Sequence, residues 1–220
     1  MRRLGSILST IGILLLLAAF ILAVYNIQDD NRAKKSSDAV IQSLASEATG
    51  RIESFGRKAE EETQERFFSL EETVLETEET IPDYKLDPNR KMPVQEINGQ
   101  AYIGVLELPE LSLTLPVMSD WDYPKLKDAP CRFSGSAYHN DLVIMAHNFQ
   151  SHFGKIGSLS SGSRIIFTDM DENVFTYQVV QTEILNPTEV EDVTSGMWDL
   201  TLFTCTTGGQ YRVAVRCESV

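Results

Sequence analysis

The chain contains too few cysteines for a disulfide-stabilised scaffold. Only three occur among its 220 residues, Cys131, Cys205 and Cys217, and none forms the CxxC spacing of a zinc site. Basic residues are also scarce, since 19 lysines and arginines stand against 32 acidic residues and leave a formal net charge of −13. Phosphate binding requires a basic face, so this composition argues against a nucleic-acid partner. The hydrophobic content of 42% predicts a folded chain rather than a disordered one.

Charged residues are absent from one long segment near the amino terminus. No charge lies between Leu4 and Tyr25, and residues 12–24 are almost wholly aliphatic. Roughly 20 apolar residues cross a bilayer as a helix. A cleaved signal peptide would have a shorter apolar region, roughly 7–15 residues, and a small-residue cleavage site that the sequence around Tyr25 does not provide. We therefore predict that residues 1–27 are an uncleaved transmembrane anchor with a short tip, whose orientation the flanking lysines and arginines do not decide.

Residues 28–80 are predicted to form an acidic helical stalk. Apolar residues recur at alternating spacings of four and three from Ile41 to Ala59, which is helical periodicity. The register then fails, and Gly50 and Gly56 each weaken the helix by about 1 kcal/mol relative to alanine. Two interpretations stay open: a short self-associating coiled coil, or a stalk that packs partly on the following domain. The heptads are too few to support a coiled coil, so the stalk that packs on the domain is the favoured interpretation.

A proline-containing linker at 81–100 separates this stalk from a β domain at 101–220. Three prolines end the helical pattern, and from about residue 100 the hydrophobic period changes to two. Strand-like segments follow at 102–107, 111–117, near 132–133, and at 141–146, 164–168, 174–181, 199–204 and 211–217, with one helical turn near 152–159. Short strands at this spacing predict a mainly β protein with a closed or sandwich fold around a single core.

Cys205 lies where the run TLFTC meets a Gly-Gly turn, at the rim of the predicted sheet. A nucleophilic cysteine needs a proton-transfer partner and a group that stabilises negative charge. His147 is the best general acid/base candidate because it follows the apolar run LVIMA, whereas His139 and His152 lie in polar loops. Arg212 begins the next strand, where a guanidinium can hold a carbonyl oxygen or an oxyanion beside the thiol.

Ordinary structural roles are the alternatives for these residues. A lone cysteine is commonly a buried, inert thiol, and a lone histidine commonly makes structural hydrogen bonds. Arg212 shares a strand face with Arg216, and a solvated face is the usual interpretation of such a pair. Cys131 and Cys217 are expected to be free, buried thiols, because nothing in the sequence places them within reach of each other.

Four stretches together resemble the sortases, which are membrane-anchored cysteine transpeptidases of bacterial, mainly Gram-positive, cell surfaces. They are IGVLELPELSLTLPV (103–117), LVIMAHN (142–148), TLFTC (201–205) and YRVAVR (211–216). They occur in the order of that family: a histidine, then TLxTC, then an arginine on the next strand. The resemblance covers just over half of the chain. It implies a closed eight-stranded sortase-like β-barrel with Cys205, His147 and Arg212 converging at one end of a groove.

The resemblance also implies a function. Cys205 is expected to attack a carbonyl in a carboxy-terminal sorting signal similar to Leu-Pro-x-Thr-Gly and form a thioacyl-enzyme, while His147 protonates the departing amine. Arg212 is expected to stabilise the substrate and the oxyanion, with the backbone around Thr204 as a lesser substrate-binding candidate. An amine of a cell-wall precursor, or of a pilin lysine, then resolves the thioester. A hydrolase with the same residues and an inactive, membrane-tethered peptide-binding barrel are the alternatives.

A location and a set of partners follow from the same resemblance. The protein is expected to be a single-pass protein of the cell membrane with its amino terminus in the cytoplasm and its catalytic domain outside. Surface proteins bearing a sorting signal are the expected partners, with membrane lipid around the amino-terminal helix and weak self-association through the stalk.

The subclass stays open at this stage. Pilin-polymerising sortases often carry an Asp-Pro-aromatic lid and a second membrane helix, but Asp87-Pro88 is followed by Asn89 and the sequence ends at Val220 after the last strand. The segment 184–199 is short for the helical insertion of class B. Some class A members bind calcium through acidic loops. Acidic residues in two loops of this chain could imitate such a site, but they are expected to be solvated instead. They are Asp120, Asp122, Asp128, Glu189, Glu191 and Asp192. No metal or other cofactor is expected.

Overall fold

The computed structural model describes residues 2–66, 82–87, 89–195 and 197–220, without the side chains of residues 2–9, 48–66 and 190. Its α-helices are α1 (Arg2–Arg66), α2 (Asp83–Leu86) and α3 (Val190–Val193). Its strands are β1 (Gln95–Ile97), β2 (Gln100–Leu108), β3 (Leu113–Met118), β4 (Cys131–Ser134), β5 (Leu142–Met145), β6 (Arg164–Asp169), β7 (Val174–Leu185), β8 (Leu200–Cys205) and β9 (Arg212–Ser219). Short 3-10 turns lie at Pro109–Leu111, Lys125–Lys127 and Ile156–Ser158.

Eight of these strands close into a barrel. The order along the sheet is β1-β2-β3-β4-β5-β8-β9-β7-β6, and β6 pairs again with β2, so that the ring from β2 to β6 has no free edge. Strand β1 is an additional short strand that forms a hairpin with β2 through Asn98 and Gly99, both at positive φ (51° and 75°). The predicted mainly β fold with a closed eight-stranded barrel is confirmed.

Each predicted strand segment contains an observed strand, but the predicted helical content was incomplete. The turn expected near 152–159 is present at Ile156–Ser158. The sequence pattern missed the turns at Pro109–Leu111 and Lys125–Lys127 and the helices α2 and α3. Each is only three or four residues long, which is too short to create a helical hydrophobic period.

Alternation along the strands decides which residues fill the barrel. Leu142 and Ile144 of β5 and Leu202 of β8 are fully buried in the interior core. The alternating residues, Val143 of β5 and Phe203 of β8, face outward and form a second cluster beneath α3. His147 and Cys205 continue this outward-facing alternation at the ends of the two strands.

Helix α1 packs on the outside of the barrel along its middle section. Ala33, Ser37 and Val40 are buried, with exposed fractions of 0%, 2% and 4%, and Leu44 packs against the same cluster. Burying a side chain such as Val40 contributes about 1.5–3 kcal/mol. Of the two interpretations of the stalk, packing on the domain is what these residues do. The apolar positions of the predicted coiled coil beyond residue 47 lie outside the described side chains. Self-association through the stalk therefore stays a prediction.

The segment predicted as a linker contributes to the folded domain. Met92 belongs to the barrel core, and Tyr84 of α2 stacks on Tyr138 with ring centroids 4.7 Å apart. Arg90 forms an ion pair with Asp171 in the turn between β6 and β7 at 2.8 Å. The packed domain therefore begins before residue 101. Pro88, which the linker prediction also used, lies outside the described residues.

Within the described residues, one segment is long and apolar enough to cross a membrane. It lies in the part of α1 between Thr10 and Glu47. Its large apolar side chains from Ile11 to Ile27 are exposed rather than packed on the barrel. This segment overlaps the predicted anchor, residues 1–27, from Thr10 to Ile27.

Candidate active site

The structure brings His147, Cys205 and Arg212 to one end and one face of the barrel. Strands β5 and β8 are parallel neighbours in which Met145 pairs with Phe203, and His147 and Cys205 each follow by two residues. Strands β8 and β9 are antiparallel neighbours in which Cys205 lies directly opposite Arg212. Directly opposite residues have Cβ atoms about 4.5–5.5 Å apart. A thiol, an imidazole and a guanidinium therefore project from three adjacent strands.

Two side-chain hydrogen bonds join the ends of β5 and β8 on either side of His147 and Cys205. The Thr204 hydroxyl donates to the carbonyl oxygen of Ala146 at 2.8 Å. The Asn148 side-chain amide donates to the carbonyl oxygen of Thr206 at 3.4 Å. These bonds fix the separation of the two strand ends where His147 and Cys205 lie.

Thr204 was predicted to bind substrate, and its side chain is turned away from the outer face. The residue is 4% exposed and its hydroxyl is engaged with Ala146. A contribution from the surrounding backbone stays a prediction. Asn148 was not singled out from the sequence, although an amide directly after the candidate acid/base residue is a signal that a search for positioning groups would use.

His147 is half-buried, and charges of both signs act on its pKa. Burial lowers its pKa below the ordinary histidine value, the positive charge of Lys127 lowers it further, and the negative charge of Asp29 raises it. Its ring lies 4.9 Å from the ring of Phe149. Because burial dominates, the neutral imidazole is favoured near neutral pH. A neutral imidazole can accept a proton from a thiol.

Arg212 is held at the turn between β8 and β9. Its Nη1 group donates to the carbonyl oxygens of Gly209 and Tyr211, each at 3.1 Å. Gly208 and Gly209 adopt positive φ angles of 88° and 74°, which glycine tolerates without strain. The Gly-Gly turn thus holds the guanidinium of the residue that lies directly opposite Cys205, and a guanidinium offers five N–H donors.

An apolar pocket adjoins Arg212 on the same outer face. It has a volume of about 240 Å³, and its walls are Trp121, Tyr123, Phe133, Met145, Asn186, Pro187, Glu189, Val193, Phe203 and Arg212. The Phe133 ring meets Trp121 at 5.5 Å and Phe203 at 5.3 Å between centroids. Such a pocket can accept an apolar side chain of an extended peptide next to Arg212.

Arg216 shares the face of Arg212, as the alternation predicted, but it is not solvated. It is only 2% exposed and forms an ion pair with Glu183 at 2.5 Å. It also donates to the carbonyl oxygens of Asp192 (2.8 Å) and Val193 (3.2 Å) in α3. The expectation of a solvated arginine face was wrong here because the segment between β7 and β8 folds over this face. Arg216 thereby holds one wall of the pocket.

The other two histidines lie apart from the thiol. His139 is exposed in the loop between β4 and β5, at the other end of β5 from His147. His152 is fully buried, and burial lowers its pKa to about 4. Its Nε2 atom lies 3.4 Å from the Ser37 hydroxyl of α1, and within the described part of the chain its Nδ1 atom has no hydrogen-bond partner.

The other two cysteines are free and buried, as expected from the sequence. Burial raises the pKa of both the Cys131 and the Cys217 thiol to about 12, so neither is a nucleophile near neutral pH. They belong to different clusters, Cys131 beside α1 and Cys217 inside the barrel.

The acidic loop residues make local contacts. Asp120 pairs with Lys125 at 2.5 Å, and Glu189 accepts hydrogen bonds from Asn186. In the described ranges no three histidine, cysteine, aspartate or glutamate side chains form a group that could hold a metal ion. The expectation that no cofactor is needed stays a prediction.

Comparisons with known proteins agree with one another on the family. The sortase-domain family model matches residues 106–220. Sortase A from Corynebacterium diphtheriae is similar in structure, with a TM-score of 0.51 and 20% identity over 55% of this chain and 61% of that one. This likeness establishes the fold alone, and it spans less than two thirds of that protein.

Two further solved structures are similar over comparable lengths. Sortase C from Clostridium perfringens SM101 has a TM-score of 0.47 and 24% identity over 54% of this chain and 70% of that one. Sortase C1 of group B Streptococcus pilus island 1 has a TM-score of 0.48 and 21% identity over 57% of this chain and 66% of that one. No curated protein sequence matches the chain.

Proposed function

The chain belongs to the sortase family, and from this premise we propose that it is a membrane-anchored cysteine transpeptidase with Cys205 as nucleophile. The observation that carries the proposal is the register of three strands, which aligns Cys205 with Arg212 and sets His147 at the end of the neighbouring strand. The two other cysteines are buried with raised pKa values, which supports the same assignment.

His147 acts first as a base and then as an acid in this mechanism. The neutral imidazole takes the proton of the Cys205 thiol as sulfur bonds to the substrate carbonyl carbon. The tetrahedral intermediate then expels the amine, which receives that proton from His147, and a thioester remains on Cys205. An incoming amine attacks the thioester and gives its proton to His147. The new amide leaves, and the thiolate regains the proton.

Arg212 stabilises the negative charge that develops on the carbonyl oxygen. A guanidinium positioned beside the reacting carbonyl lowers the energy of the tetrahedral intermediate more than that of the substrate. The Gly-Gly turn that orients Arg212 supports this role. Backbone donors near Thr204 are the secondary candidates.

The substrate is a carboxy-terminal sorting signal similar to Leu-Pro-x-Thr-Gly, bound in the apolar pocket beside Arg212. Its aromatic and aliphatic walls suit the apolar residues that precede the scissile bond. An amine of a cell-wall precursor is the acceptor. The catalytic barrel is then extracellular and the amino terminus cytoplasmic. Alternatives are pilin polymerisation, hydrolysis with water as acceptor, and an inactive peptide-binding barrel.

Incubation of the full chain in detergent micelles with sorting-signal peptides and a glycine-based amine tests the proposal. We expect ligated product and a trapped thioacyl-enzyme by mass spectrometry. Cys205→Ala abolishes both, whereas Cys131→Ala, which removes a buried thiol, retains them. Replacement of His147 by Gln lowers kcat/KM by about 10²–10⁴-fold, and the matched change at His139 does not. Full activity of Cys205→Ala would refute the mechanism. Release of the cleaved peptide with a free carboxyl group, without ligated product, would favour hydrolysis. Binding of the peptide without cleavage would favour the inactive barrel.

A further inference from the structure

The apolar segment of α1 and the part that packs on the barrel belong to one uninterrupted helix. Helix α1 runs from Arg2 to Arg66. Among the described side chains of α1, the exposed large apolar ones end at Ile27, and Tyr25 is of the aromatic type that is enriched at membrane–water interfaces. If the proposed anchor spans a bilayer, the membrane surface lies near Tyr25 and Ile27.

Contacts with the barrel begin within one helical turn of this boundary. The Asp30 carboxylate accepts hydrogen bonds from the backbone N–H of Ser151 at 2.9 Å and from its hydroxyl at 2.5 Å. Ala33, Ser37 and Val40 then follow on the buried face. No flexible linker therefore separates the membrane segment from the barrel.

The order of contacts along α1 gives the orientation of the barrel. At 1.5 Å per residue, Asp30 lies about 5 Å beyond Ile27 and Glu47 about 30 Å beyond it. Asp30 binds Ser151, in the loop that follows β5, whereas Glu47 accepts a hydrogen bond from Gln95 in β1. The end of the barrel at which β5 finishes is thus near the membrane, and β1 is far from it.

The loop near the membrane is the one that carries His147. The backbone N–H of Phe153 donates to the carbonyl oxygen of His147 at 3.2 Å. The Phe149 ring lies between the rings of His147 (4.9 Å) and His152 (5.7 Å). His152 in turn approaches Ser37, which lies about 15 Å beyond Ile27 along α1. His147 is therefore tied to α1 through a short series of packed groups.

Exposed basic residues lie on α1 just beyond Ile27 and in the loop that follows β5. Arg32, Lys34 and Lys35 follow the apolar segment directly, and Lys155 lies in the loop after β5. Lys34 and Lys155 line one cavity between α1 and the barrel. Asp29, Asp30 and Asp38 lie on the same stretch of α1, and Asp30 and Asp38 line that cavity too, so the four cations leave a small positive balance. Each exposed cation near the surface contributes about 1 kcal/mol of attraction to an anionic bilayer.

We propose that the barrel rests against an anionic bilayer surface through this end, with α1 as a rigid strut that fixes the height of Cys205 above the lipid. The inference deepens the proposed function, because it rests on the same anchor and the same thiol. A fixed height makes cleavage depend on how far a substrate's scissile bond lies from the membrane.

A lipid-bound relaxing agent measures the height directly and requires no activity. The full chain is labelled with a nitroxide on Cys205, its one partly exposed thiol, and placed in phosphatidylcholine–phosphatidylglycerol vesicles containing a nickel-chelating lipid. We expect strong relaxation of this label by nickel. A label at Glu96→Cys in β1, in a Cys205→Ser background, is expected to relax weakly. Equal relaxation at both positions, or the reverse order, overturns the proposal.

Lengthening the strut tests the consequence for catalysis. An insertion of seven helix-forming residues after Ile27 raises the barrel by about 10 Å. Peptides tethered to lipid through spacers of increasing length are expected to show an optimum that moves to longer spacers in this variant, while cleavage of the same peptide free in solution changes less than twofold. An optimum that does not move overturns the proposal. Failure of the parent to cleave either peptide refutes the proposed function instead, and the relaxation experiment still decides the orientation.

Discussion

The charges of Lys127 in one loop and of Asp29 in helix α1 both act on the pKa of His147. Lys127 lowers its pKa and Asp29 raises it, while burial provides the largest effect, also downward. The two charges come from parts of the chain distant in sequence. The protonation of the candidate acid/base residue is thus a property of the assembled fold.

Removal of the Lys127 charge should raise the pKa of His147. A positive neighbour disfavours the imidazolium, so Lys127→Gln stabilises the protonated form. Because the first step needs the neutral imidazole, the acidic limb of the kcat/KM profile should move to higher pH, and an NMR titration of His147 should show the same direction. Asp29→Asn should move both to lower pH.

Lys125→Gln is the matched control for this prediction. Lys125 lies in the same turn, but it is paired with Asp120, and it is not among the groups that shift the pKa of His147. Its replacement should leave the His147 titration in place. An equal shift in both lysine variants would mean that the effect is general electrostatics rather than the proximity of Lys127.

At the scale of elements, the outer wall of the pocket depends on a single buried arginine. Arg216 joins β9 to α3 through Asp192 and Val193, and to β7 through Glu183. The segment that it holds also supplies pocket residues such as Glu189 and Val193. The wall is therefore secured from beneath by β9, the strand that also presents Arg212.

Arg216→Met should lower the free energy of unfolding by about 3 kcal/mol, because truncating one partner of a buried ion pair leaves the other uncompensated. Glu183 keeps partial contact with solvent, with a side chain 33% exposed, so the loss belongs at the lower end of the usual range. Urea unfolding measures it. Loosening of the wall should also raise KM for the peptide more than it lowers kcat.

Arg164→Met provides the comparison, since Arg164 is an exposed arginine on strand β6. Its loss should change unfolding by less than about 0.5 kcal/mol. If Arg216→Met were equally mild, or if kcat fell while KM stayed constant, Arg216 would not be the support of the pocket wall.

The candidate site was predictable from the sequence because it depends on local features. Two-residue alternation and the ends of apolar runs selected His147, Cys205 and Arg212 as candidates and placed Arg212 beside Cys205. The convergence of His147 with the other two followed from the resemblance to sortases. The environment of Arg216 was not predictable, since its burial results from the folding of a distant, irregular segment over the sheet. Thr204 was selected for the backbone around it, which stays a prediction; its hydroxyl faces inward because alternation turns it opposite to Cys205.

At the scale of the whole molecule, helix α1 is part of the folded domain as well as its proposed anchor. The helical period was predictable, but its docking face was not. Ala33 and Ser37 are small or polar and do not stand out as an apolar stripe, whereas Ala45 of the predicted seam is exposed. Close approach of a helix to a barrel favours small residues, and hydrophobic periodicity does not detect them.

The buried His152, which approaches Ser37 of α1, makes the stability of the folded chain dependent on pH. Its pKa is about 4 in the folded protein because burial disfavours the charged ring, with His147 lowering it further and Asp30 raising it. In the unfolded chain the ordinary value of about 6.5 applies. Between these values the unfolded state binds more protons, so stability is lost as the pH falls from about 6.5 to about 4, by about 3 kcal/mol in all.

Replacement of His152 by Leu should remove this dependence. Leucine fills the site without a titrating group and without the Nδ1 atom that has no partner in the described residues. The free energy of unfolding is measured by urea titration of the full chain in micelles, followed by tryptophan fluorescence. Over that pH range the decrease in this free energy should be about 3 kcal/mol smaller for His152→Leu than for the parent. Ser37→Ala retains the histidine and should keep the pH dependence of the parent. If the parent and His152→Leu instead gave parallel pH profiles, His152 would not be the group that makes the stability of the folded chain depend on pH.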